Sequence, residues 1–131
     1  MSTHATGRFE IKGWDEQAIN EIDGAPKLTR ASVTTAYRGD IQGESTLEYL
    51  MFYGDNTATF IGLERVIGRL GDRSGAFVLR HDGAYVDNVA RGTVTVVPGS
   101  GTSDLRGLRG EGAFMAGHED LGTVTLDYDF A

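Results

Sequence analysis

The chain has no cysteine and only two prolines, Pro26 and Pro98, in 131 residues. Without cysteine there is neither a disulfide nor a thiolate metal site, so packing alone must hold the fold together. The prolines sit at the edges of β-rich runs, where a missing backbone donor does least harm. No stretch approaches the roughly 18 apolar residues of a membrane span. Met1 to Phe9 also lacks the basic-then-apolar pattern of a secretory signal, so cytoplasmic residence and no membrane partner are expected. A basic stripe is missing too: 19 acidic residues against 12 Lys plus Arg give a formal charge of -7. The densest basic stretch, Arg65 to Arg73, is diluted by Asp72 and glycines and preceded by Glu64. Nucleic acid is therefore an unsuitable partner.

What the chain has is glycine, 19 residues of it, recurring between runs rich in Val, Thr, Ile, Tyr and Phe, which is the punctuation of β-turns. Period-two alternation then predicts eight strands. The first covers about Gly7 to Trp14, with Phe9 and Ile11 on one face. After a polar loop over Asp15 to Pro26, the second covers Leu28 to Tyr37 and aligns Ala31, Val33 and Tyr37. A Gly39-Asp40 turn leads to the third, Ile41 to Tyr53, with Leu47, Tyr49, Met51 and Tyr53 on one face and Glu44, Thr46 and Glu48 on the other. Gly54-Asp55-Asn56 reads as a hairpin turn. The fourth, Ala58 to Leu70, is apolar in both phases: Phe60, Val66 and Leu70 in one, Ile61, Leu63 and Ile67 in the other. Such a strand is expected to be covered on both faces. The fifth, Gly75 to His81, groups Phe77, Leu79 and His81 and ends at an Asp82-Gly83 turn. The sixth spans Ala84 to Val97, the seventh Glu111 to Met115 and the eighth Gly122 to Phe130.

Eight strands joined mostly by tight turns, with no helix-period segment of useful length, predict a single all-β domain, an up-and-down barrel or a closed sandwich. A barrel leaves no unpaired edge, and eight strands enclose space for packed side chains or one small ligand. An eight-stranded antiparallel up-and-down barrel is the expected fold. Between strands six and seven, Pro98 to Gly112 carries a short helical turn with Leu105 and Leu108 and reads as a plug or lid. Its glycines do not form a phosphate loop, since the Gly-x-x-x-x-Gly-Lys pattern is missing.

The strings GLERVIGRLGDRSGAFVLRH (62 to 81) and VVPGSGTSDLRGLRGEG (96 to 112), with the LDYDF ending, resemble a bacterial domain family of unknown function described as having an allene-oxide-cyclase-like barrel. The resemblance implies that same barrel over nearly the whole chain and supplies no activity. By analogy with allene oxide cyclases and dirigent proteins, it implies a barrel that holds a reactive apolar molecule in one conformation, assembled as a homo-oligomer.

Candidate chemistry has to come from the residues themselves. Arg65 and Arg69 belong on the solvent side of strand four, which turns Glu64 inward beside Phe60 and Val66. A buried, unpaired carboxyl has a raised pKa, the preparation of a general acid or base. His81 shares its face with Phe77 and Leu79 on the next strand and would complete a proton shuttle with Glu64. Tyr37, Tyr49, Tyr53, Phe60, Phe77 and Tyr128 occupy inward phases and are the candidate ligand-binding residues. His4, His81 and His118 are far apart, and His118-Glu119-Asp120 lacks zinc-ligand spacing, so neither metal nor cofactor is expected. The sequence thus points to a small apolar metabolite as partner. It leaves open a cyclase or isomerase with Glu64 as acid or base, a non-catalytic binding or scavenging barrel, and a packed oligomerisation module.

Overall fold

The computed structural model describes residues 2–117 and 120–131, so His118 and Glu119, weighed above as metal ligands, lie outside the described residues. Eight strands run β1 (Thr3–Ala18), β2 (Leu28–Gly39), β3 (Ile41–Tyr53), β4 (Thr57–Leu70), β5 (Arg73–Val86), β6 (Val89–Val96), β7 (Leu108–Ala116) and β8 (Leu121–Phe130). Each pairs with the next, and β8 pairs antiparallel with β1 to close the barrel. This is the expected up-and-down topology. No helix among the described residues is long and apolar enough to cross a membrane.

The inward phases supply one core. Ala31, Val33, Leu47, Val66, Leu70, Leu79, Val94, Val124 and Leu126 are all buried in it. One end is closed by the segment after β6. Because β6 stops opposite Leu79, the first residues of β5 lack a strand on that side. Residues 97–102 supply the missing partners: Val97 N–H donates to Val78 O at 2.9 Å and Thr102 N–H to Ala76 O at 2.9 Å. The hydroxyls of Thr102 and Ser100 in turn accept from the backbone N–H groups of Ala76 and Val78. A single 3-10 turn, Ser103–Leu105, then drives Leu105 into full burial. The plug is shorter than the sequence suggests, because residues 108–112 already belong to β7.

Several boundaries differ from the sequence reading. β1 runs four residues beyond Trp14, to Ala18, with a bulge between Ile11 and Gly13. β5 does not stop at His81. It continues to Val86, and the turn lies at Asp87-Asn88, both with positive φ (53° and 65°), which Asp and Asn tolerate better than other side chains. Asp82-Gly83 is therefore strand. Gly83 is required for closeness rather than for turning, since a Cβ there would meet the Arg91 carbonyl oxygen at 2.5 Å and the Phe114 ring at 2.9 Å. Finally, the outer phase of β4 is not covered within the chain: Ile61, Leu63 and Ile67 are 47%, 55% and 62% exposed.

Candidate functional site

On β4 the inward phase runs Phe60, Gly62, Glu64 and Val66, and it carries a charge into the middle of the barrel. Glu64 is 1% exposed, and such burial would be costly for a carboxylate without partners. It has three. Tyr37 on β2 donates its hydroxyl to the two carboxylate oxygens at 3.0 and 2.9 Å, Ser45 on β3 donates at 2.5 Å, and His81 Nε2 on β5 lies 2.7 Å from Oε1. Three neighbouring strands thus converge their donors on one acceptor. Burial alone would raise the carboxyl pKa, but the hydrogen bond from His81, with those from Ser45 and Tyr37, outweighs it and holds Glu64 below its ordinary 4.5. Glu64 is an anion anchored by its neighbours, not the proton-holding acid that an unpaired buried carboxyl would be. Burial and the facing carboxylate push the Tyr37 phenol well above its ordinary value, so it stays protonated and donating.

A glycine lies between His81 and Tyr49 on the strand that carries Glu64. In the register both Tyr49 and His81 pair with Gly62. A Cβ on Gly62 would strike the Tyr49 ring at 2.7 Å and the Glu48 carbonyl oxygen at 2.4 Å. The vacant side-chain position lets the Tyr49 and His81 rings meet edge to face, centroids 5.9 Å apart, while Phe114 packs on His81 at 5.0 Å. His81 Nδ1 is buried and has no hydrogen-bond partner. A ring protonated on both nitrogens would leave a charged N–H stranded there, so the arrangement favours the neutral ring with its proton on Nε2 and a bare lone pair on Nδ1.

These groups form the inner end of a cavity of about 310 Å³. Its walls are aromatic and aliphatic, among them Phe9, Trp14, Met51, Phe60 and Phe114. Lining by Tyr85, Ala116, Gly117 and Asp120 places its mouth at the barrel end opposite the Leu105 plug. The volume falls at the small end of the ligand-site range, and the composition, apolar walls with a few converging polar groups, is that of a ligand pocket.

The sequence profile of a family described as protein of unknown function, DUF3224, matches residues 5–128. The chain belongs to this family. A solved structure described as a protein of unknown function from the DUF3224 family of Shewanella oneidensis MR-1 is 28% identical, covers 100% of this chain and 99% of its own, and aligns with a TM-score of 0.84. No curated protein matches.

In this DUF3224 barrel the residues singled out from sequence divide by depth. Glu64, His81, Tyr37, Tyr49 and Phe60 line the cavity together. Phe77 is buried but does not line it. Tyr128 stacks on Phe130 at 6.0 Å near the Gly71 turn, at the plugged end. Tyr53 belongs to a second network, donating to Glu16, which also accepts from Thr29 at 2.7 Å and from Trp14 at 2.9 Å. Burial and Glu16 push the Tyr53 phenol up to about 12, and the bonds to Glu16 tie the end of β1 to β2 and β3. Ser45 and Thr35 were missed. They continue the inward phases of Leu47 and Val33, and a hydroxyl recurring on an apolar phase was the available signal.

Proposed function

We propose that the barrel binds a small, largely apolar molecule in the cavity and that His81 removes a proton from it, with Glu64 as the positioning residue. The observation that carries this reading is the buried Glu64–His81 pair opening onto an aromatic pocket, with Nδ1 unpartnered. A carboxylate that accepts from one ring nitrogen fixes the tautomer and the orientation of the ring. If the resemblance to allene oxide cyclases expected from the sequence holds, isomerisation or ring closure of an apolar intermediate is the reaction class, with the pocket supplying the fixed conformation. The alternative, a scavenging barrel, would use the same walls with the pair serving structure alone.

Base-promoted ring opening of nitrobenzisoxazole separates the two. In this reaction a base takes the ring C–H proton as the N–O bond breaks, giving a coloured cyanophenolate. The substrate is small, neutral and aromatic. The protein should open it faster than the same concentration of free imidazole, and the His81→Ala variant should not. Equal rates for the two proteins would leave only the binding reading.

We also infer self-association through the outer face of β4. Leu50 and Ile61 are cross-strand partners there, with Leu63 and Ile67 alongside. Glu48 on β3 and Arg80 on β5 flank Leu63 from opposite sides. A two-fold axis along β4 therefore sets Glu48 against the partner's Arg80 while the apolar stripes meet. Light scattering is expected to give a dimer that Leu63→Glu dissociates; a wild-type monomer at high micromolar concentration contradicts it.

A further inference from the structure

The direction of the hydrogen bonds around Glu64 restricts what the cavity can recognise. An ionised carboxylate only accepts, so every group touching it must turn its proton toward it. Tyr37 and Ser45 spend their hydroxyl protons on Glu64, and His81 spends its Nε2 proton in the same way. Thr35, bonded to the Ser45 oxygen, must then be the donor of that pair, because the Ser45 proton is already committed. What remains unspent on these lining residues is a set of lone pairs, on the Tyr37 oxygen, the Thr35 oxygen and the buried His81 Nδ1. At the mouth the same holds: Trp14 donates to Glu16 and Tyr85 to Asn88. Tyr49 alone among the lining side chains keeps a hydroxyl free to act either way. Among the described residues the lining also includes two carboxylates, Glu64 and Asp120, and no Lys or Arg.

We infer that the cavity prefers a neutral or cationic ligand that brings its own hydrogen-bond donor, a phenol, alcohol or amine on an apolar body, and holds ligands whose oxygens only accept or carry negative charge more weakly. This rests on the ligand-binding reading above and sharpens it. A ketone or ether finds only the Tyr49 hydroxyl to accept from, and a carboxylate meets Glu64 and Asp120 besides, whereas an O–H or N–H donor can pair with any of several hydroxyl oxygens.

Three naphthalenes of nearly equal size test this by fluorescence titration of the full chain: naphthol, which donates; methoxynaphthalene, which only accepts; and naphthoate, which is anionic. Naphthol is expected to bind at least about tenfold more tightly than methoxynaphthalene, with naphthoate weakest. In Glu64→Gln the carboxamide N–H₂ donates back into the network and frees a hydroxyl proton for the ligand, so the naphthol advantage should shrink toward unity. Equal binding of naphthol and methoxynaphthalene, or tightest binding of naphthoate, overturns the inference and leaves the pocket standing. Failure of all three to bind overturns the pocket reading and the inference with it.

Discussion

Replacing His81 by alanine is expected to slow nitrobenzisoxazole opening by about 100-fold or more, the usual weight of a positioned general base, while an apolar dye such as phenylnaphthylamine still binds. The two readouts separate base from wall. On the proposed reading His81 contributes the base, whereas the grip on an apolar guest would come from Phe9, Met51, Phe60 and Phe114, which the substitution leaves in place. The new space beside Tyr49 and Phe114 would, if anything, admit the dye more readily. An unchanged rate, with the dye still bound, removes His81 as the base. Loss of both rate and dye binding would mean that the ring is a structural prop between Tyr49 and Phe114.

Replacing Glu64 by leucine is expected to cost about 3 kcal/mol of folding stability at neutral pH, read from denaturant unfolding. Leucine fills much of the same volume and relieves the burial of a charge, which argues for a small effect. Against that, it strands three buried donors, from Tyr37, Ser45 and His81, each costing roughly 1–3 kcal/mol when unpaired. Ser45 can turn back to Thr35; Tyr37 and His81 Nε2 have no other partner in the network. The stranded donors therefore win. The pH dependence carries a definite sign. Glu64 ionises below its ordinary 4.5 in the folded protein, so its contribution is fully present above that pH and is lost as pH falls through the folded value. The stability gap between wild type and Glu64→Leu should be constant near neutrality and close below about pH 4.5. Adding Tyr37→Phe and Ser45→Ala to the leucine variant should recover part of the loss, because removing donor and acceptor together is nearly neutral. A leucine variant as stable as wild type contradicts the network.

Much of this site was legible because period-two alternation reports which face a side chain takes. Arg65 and Arg69 had to face solvent, which turned Glu64 inward, and His81 followed Phe77 and Leu79 on the neighbouring strand. Alternation does not report depth along the barrel. Tyr53, Phe77 and Tyr128 share the inward phase with Tyr37 and Tyr49, yet the tilt of the strands carries Tyr128 to the plugged end and Tyr53 to Glu16. Local turn chemistry also misled at one point. Asp82-Gly83 has the composition of a hairpin turn, while the glycine is there to let Phe114 and the Arg91 backbone approach. That approach is a contact between strands distant in sequence, which no local pattern encodes. The same applies to Gly62, whose missing side chain admits the Tyr49 ring and the Glu48 backbone.

The central claim is that Glu64 holds a neutral His81 with its proton on Nε2 and an unpartnered Nδ1, beside an apolar cavity. Nitrogen-15 NMR of the histidine ring at neutral pH tests it most directly. The expected spectrum shows His81 with a protonated Nε2 and an unprotonated Nδ1, whose resonance moves when naphthol is added. A ring protonated on both nitrogens, or carrying its single proton on Nδ1, would contradict it.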